Sequence, residues 1–183
     1  LDADVRSLGF TPDGTRVLFL TGVPFSSLNT LHSAPADGSQ PAVTLHVPDR
    51  GTVGFLAFRA TSDSSRVLYW SRPERILSAP VDGSAPPIQI SPSSPGEEPD
   101  IDYLLSPDGK WVVFFSPTPG GSDLFSARVD GSSPPRPLFF PRESGVATEL
   151  DSSTPQAFQI SPDSLKVVGI TTGFRELRVA PID

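Results

Sequence analysis

Two histidines, His32 and His46, stand beside 21 acidic side chains and no cysteine, and this inventory limits the chemistry open to the chain. Acyl-transfer chemistry needs a serine on a strained elbow, a histidine and a carboxylate within reach of one another. No G-x-S-x-G occurs, and both histidines fall on expected strands of a single repeat, where they read as structural or exposed. Without cysteine there is no disulfide framework, no thiolate nucleophile and no Cys-based zinc site. The densest acidic run is Glu97-Glu98-Pro99-Asp100-Ile101-Asp102, followed at a distance by Glu143, Glu149 and Asp151. Such a rim attracts a basic partner or a hard cation such as calcium. The calcium-loop spacing D-x-[DN]-x-[DN]-G is absent, however, and a solvated loop accounts for the cluster. Catalytic residues, metal ligands and cofactors are therefore expected to be none. The candidate partner-binding residues are Glu97, Glu98, Asp100, Asp102, Glu143 and Glu149, with Arg72 and Arg75 on a short connection.

The elements that must hold these residues are set by a repeat. Residues 105–131 read LSPDGKWVVFFSPTPGGSDLFSARVDG. Proline at the second turn position presets φ, Asp108 caps the turn backbone, and Gly109 supplies the left-handed residue that closes a hairpin. Trp111 to Phe115 is a run of β-branched and aromatic residues, too short for an ordinary helix and suited to a strand covered on both faces. An alternating strand, Leu124 to Val129, and the hairpin signal Asp130-Gly131 follow.

The same landmarks occur four times. The first turn is Thr11 to Gly14, Thr61 to Ser64, Ser106 to Gly109 and Ser161 to Ser164. The second is Asp37-Gly38, Asp82-Gly83 and Asp130-Gly131, with Asp183 closing the chain. The four-fold recurrence of Asp13, Asp63, Asp108 and Asp163 is explained by turn capping. Four short strands at a period of about 45 residues are the signature of a β-propeller blade. The expectation is an all-β chain of about four antiparallel four-stranded blades, at 1–50, 51–98, 99–152 and 153–183. The last blade is incomplete, and all four form one partial propeller domain, 1–183.

Spacing separates two ends of each blade. The second-strand valines stand at 17, 67, 112 and 167, and the following aspartates at 37, 82, 130 and 183, so that interval varies from 15 to 20 residues. Length changes fall between strands two and three and between blades. Because strands alternate in direction, those variable connections share one face and the tight turns share the other. Binding concentrates on loops carried by rigid scaffolds. The variable face is the expected functional surface.

A net charge of −7 and a pI near 4.7 disfavour phosphate-backbone binding, so no nucleic-acid partner is expected. No apolar run approaches the roughly 18 residues that span a bilayer, and no membrane insertion is expected. The absence of methionine implies a chain that does not start at its own initiator, either a processed product or a piece of something longer.

The [ST]-P-D-G turn, the apolar strand and the Leu-x-x-Ala-x-x-Asp-Gly segment resemble the TolB-type branch of propeller repeats, related to the WD-repeat, over nearly the whole chain. Ser64 and Ser164 replace the glycine preferred there, and the second blade lacks the proline; those two turns are expected to be the less regular ones. The resemblance implies a periplasmic or extracellular bacterial scaffold that binds a protein or peptide, or the gating propeller of a prolyl-oligopeptidase-like enzyme. A closed TolB-like ring has six or more blades. A chain with fewer leaves apolar faces and a free strand edge on its terminal blades, to be met by missing blades or by self-association.

Overall fold

A threonine or serine hydroxyl at the start of each four-residue turn organises the sheet that follows. In the computed structural model, which describes residues 4–22, 29–47, 58–71, 75–92, 103–118, 121–138, 158–170 and 177–183, the Thr11 hydroxyl donates to the Asp13 carboxylate at 2.6 Å and accepts the Arg16 amide at 3.1 Å. Thr61, Ser106 and Ser161 repeat both bonds. The residue at the left-handed position then donates its amide back to that first residue's carbonyl, at 2.8–2.9 Å in all four turns. Two backbone donors and one carboxylate are thus satisfied locally, and the chain leaves the turn already in hairpin register.

Among the described residues every regular element is a strand, as expected, and the chain falls into two compact units, residues 1–95 and 96–183. The first unit holds two sheets. One is β1 (Asp4–Phe10), β2 (Arg16–Gly22), β3 (Asn29–Pro35) and β4 (Val43–His46), and the other is β5 (Phe58–Ala60), β6 (Arg66–Ser71), β7 (Arg75–Pro80) and β8 (Ile88–Gln89). The second unit holds β9 (Tyr103–Leu105), β10 (Trp111–Thr118), β11 (Gly121–Arg128) and β12 (Arg136–Pro137), then a three-stranded sheet of β13 (Phe158–Ile160), β14 (Lys166–Ile170) and β15 (Leu177–Pro181). Every sheet is antiparallel with its strands in sequence order.

Side-chain parity decides how sheets pack inside a unit. Successive residues of a strand point to opposite faces. In the first unit, Leu18 and Leu20 of β2 join Val67 and Tyr69 of β6 in one core, with Leu31, Leu45 and Leu77 around them. In the second, Val113 and Phe115 of β10 meet Val167 of β14, and Phe115 lies edge-on to Phe158 with ring centroids 5.3 Å apart. The leading sheet offers the residues at even offset from the strand start, and the following sheet those at odd offset. Continuous apolar strands follow from this arrangement, because each blade needs grease on both faces. Trp70 is buried in its strand, whereas Trp111 is only half-buried, under the Arg128 guanidinium 5.1 Å from its ring centroid.

The expectation of irregular turns at Ser64 and Ser164 is corrected. Both serines take the left-handed conformation, φ 60° and 62°, close to the φ of 71° and 72° at Gly14 and Gly109. Their hydroxyls, buried between sheets, accept the backbone amides of Asp13 and Asp108 at 3.0 Å, 51 and 56 residues away. A hydrogen bond from the leading sheet's turn to the following sheet's turn offsets the steric cost of a side chain at positive φ.

Candidate functional site

Each sheet has two unlike ends. At the end carrying the 1→2 and 3→4 turns, the carboxylates are fully engaged. Asp13 accepts from Thr11, from the Thr15 amide at 3.0 Å and from the Thr15 hydroxyl at 2.9 Å, and the first of these bonds leads in holding its pKa down to about 2. Partial burial pulls Asp63 and Asp108 upward, but the Thr61 and Ser106 hydroxyls and the Ser65 and Lys110 amides outweigh it, so both stay below the ordinary value. Asp163 is lowered by the Ser161 hydroxyl and the Leu165 amide. In the second set of turns, Asp37, Asp82 and Asp130 bind the amides of Ser39, Ser84 and Ser132 at 2.9–3.0 Å and are lowered likewise. A carboxylate so committed has no lone pair arranged for a metal or a proton transfer. Among the described residues no group of three His, Asp or Glu side chains could hold a metal ion.

The opposite ends carry the 2→3 and blade-to-blade connections, and the registers place them there. Gly22 pairs with Asn29, Ser71 with Arg75, Thr118 with Gly121 and Ile170 with Leu177, so each 2→3 connection leaves from the same end of its sheet. Of the candidate contact residues, Arg75 is at this end, half-buried as the first residue of β7. Arg72, Glu97, Glu98, Asp100, Asp102, Glu143 and Glu149 lie outside the described residues.

Neither histidine forms a catalytic constellation. His32 stacks on Phe19 at 5.2 Å, and its two ring nitrogens meet the hydroxyls of Thr21 at 2.8 Å and Thr44 at 3.2 Å. Desolvation lowers its pKa, so the ring is neutral at pH 7. His46 leans on Tyr69 at 5.4 Å, and burial raises the phenol well above its usual range.

Sequence reasoning missed a second polar device. Arg16 Nε donates to Ser33 Oγ at 2.8 Å, and Arg66 Nε to Ser78 Oγ at 2.7 Å, each spanning from strand two to a fully buried serine of strand three. In the third sheet Trp111 stands where the arginine would, and the equivalent Ser126 hydroxyl is buried without a hydrogen-bond partner. The signal was legible only as a pairing: arginine at the strand-two start together with serine two residues before the strand-three end.

No protein-family model matches the chain, and no curated protein matches it in sequence. Solved structures do. TolB from Acinetobacter baumannii aligns with 98% of this chain and 41% of its own at TM-score 0.54 and 16% identity. A prolyl endopeptidase aligns with 97% of this chain and 26% of its own at TM-score 0.59 and 15% identity. A chain of the nidogen/laminin complex aligns with 97% of this chain and 60% of its own at TM-score 0.52 and 13% identity. This chain therefore spans less than two thirds of the length of each. At these identities the likeness is one of fold: the four sheets are β-propeller blades of the TolB and WD-repeat type.

Proposed function

We propose that this chain is a non-enzymatic interaction module of TolB-like propeller type, which binds a protein or peptide through the uneven connections at one end of its blades. The observation that carries the reading is the contrast between sheet ends. At one end the aspartates and hydroxyls are spent on fixing the turns. At the other, connections of unequal length bear the acidic run 97–102 and the charged residues Arg72, Arg75, Glu143 and Glu149. An acidic, cysteine-free module of this kind suits a periplasmic or extracellular setting and a partner with a basic face. The test is capture of partners by the intact chain and by a variant with Glu97, Glu98, Asp100 and Asp102 changed to Ser. Loss of a partner in the variant supports the reading, and an unchanged set removes the acidic rim from it.

A second reading has the likeness to a prolyl endopeptidase in its favour. The blades would then form the substrate-gating part of a larger serine peptidase. An α/β-hydrolase pattern with its nucleophile elbow further along the parent reading frame decides between the two.

A further inference from the structure

The four sheets share one register, which makes the last of them a controlled comparison. Ile76, Leu124 and Leu177 are equivalent, because they pair with Trp70, Phe115 and Ile170, the fifth residue of strand two in each sheet. Ser78, Ser126 and Val179 are equivalent two residues later. The first two members of each set are at most 5% exposed, whereas Leu177 is 67% exposed and Val179 57%. In the complete sheets a fourth strand lies along this edge. Ile88 pairs with Ser78 and Arg136 with Ser126, and the amides of Ile90 and Leu138 donate to the carbonyls of Ile76 and Leu124 at 2.8 Å. Among the described residues β15 has β14 as its one sheet neighbour.

We propose that the outer edge of β15 is a strand-addition site for an extended peptide of the pattern proline–aliphatic–any–aliphatic, supplied in trans by a partner chain. The chemistry of the occupant is given by the fourth strands of the complete sheets. Each is led by proline and ends on a buried aliphatic residue: Pro41 before Val43 and Leu45, Pro87 before Ile88 and Ile90, Pro135 before Arg136 and Leu138. Proline favours the extended backbone at little entropic cost. The amide of the peptide's last aliphatic residue meets the Leu177 carbonyl, as those of Ile90 and Leu138 meet their own partners. The first aliphatic residue falls opposite Val179. Where the other sheets hold a serine, this edge holds a β-branched hydrocarbon, so it selects an aliphatic side chain over the arginine seen in β12. Pro181 is no obstacle, since Pro35 and Pro80 end strands that do carry a fourth strand. This site is separate from the loop-bearing surface proposed above, and its success or failure is independent of the acidic residues there.

The test is titration of the intact 183-residue chain into a fluorescein-labelled peptide of residues 85–91, followed by anisotropy, with amide hydrogen exchange of 177–181 measured alongside. Saturable one-to-one binding that protects the Leu177 and Val179 amides is the expected result. Methylating the peptide amide equivalent to Ile90, or changing Val179→Asp in the chain, each weakens binding by about tenfold or more. The methylated peptide leaves the protein untouched, so a folding defect cannot imitate its effect. Absence of binding overturns the proposal. So does binding that ignores the methyl group, or a chain that dimerises through β15 and is not displaced by the peptide.

Discussion

The clasp between turns is the feature most open to a quantitative test. Ser64 and Ser164 hold positive φ at a steric cost of about 1–2 kcal/mol for a residue with a Cβ, and each recovers about 1 kcal/mol from the hydroxyl that accepts the Asp13 or Asp108 amide. Glycine in place of Ser64 removes both terms, leaving stability within about 0.5 kcal/mol of the parent. Alanine keeps the strain, removes the acceptor and leaves a partly buried amide unpaired, for a loss of about 1–2 kcal/mol. Ser164 gives the same order. The assay is urea unfolding followed by tryptophan emission, in which Trp70 reports on the first unit and Trp111 on the second. Alanine and glycine variants of equal stability would refute the reasoning, because the hydroxyl would then contribute nothing to joining the sheets.

Three further outcomes follow from the same geometry. Asp13 has a folded pKa of about 2 against an ordinary 3.8, so its contribution is complete above the higher value and is lost as pH falls toward the lower one. The urea midpoint should fall between pH 4 and pH 2, and Asp13→Asn should flatten that limb. Ser78→Ala strands the Arg66 Nε and costs about 1–2 kcal/mol, whereas Ser126→Ala removes a hydroxyl with no partner and is neutral or stabilising by up to about 1 kcal/mol; chemical denaturation of both variants checks the contrast. Leu18→Ala empties a site that is 1% exposed between two sheets and costs about 2–5 kcal/mol, read as a lowered denaturation midpoint.

The blades were legible in the sequence because turn and strand are local events. Proline, Asp108 and Gly109 specify the hairpin within four residues, and the run from Trp111 to Phe115 announces a strand apolar on both faces. Leucine-rich cores, positive φ at Gly38, Gly83 and Gly131 and the direction of each connection follow from the same short-range rules. What could not be read was long-range. Ser64 looked like an imperfect glycine, because its reason for being there is an amide 51 residues earlier. Ser33 and Ser78 looked like ordinary strand serines until the registers set an arginine diagonal to each. Trp111 was expected in the core and is half-covered instead, because its sheet traded that arginine for an indole and moved the cation to Arg128. The candidate site was legible only as an end of each sheet; Arg75 stands there, and the remaining contact candidates fall outside the described residues.

The central claim is that four sheets of one register are fixed at their turn ends and carry function at the other. Amide hydrogen exchange across the whole chain tests it most directly. Slow exchange should recur at Gly14, Ser64, Gly109 and Ser164 and along β2, β6, β10 and β14. Protection that fails to repeat at those four positions would contradict it.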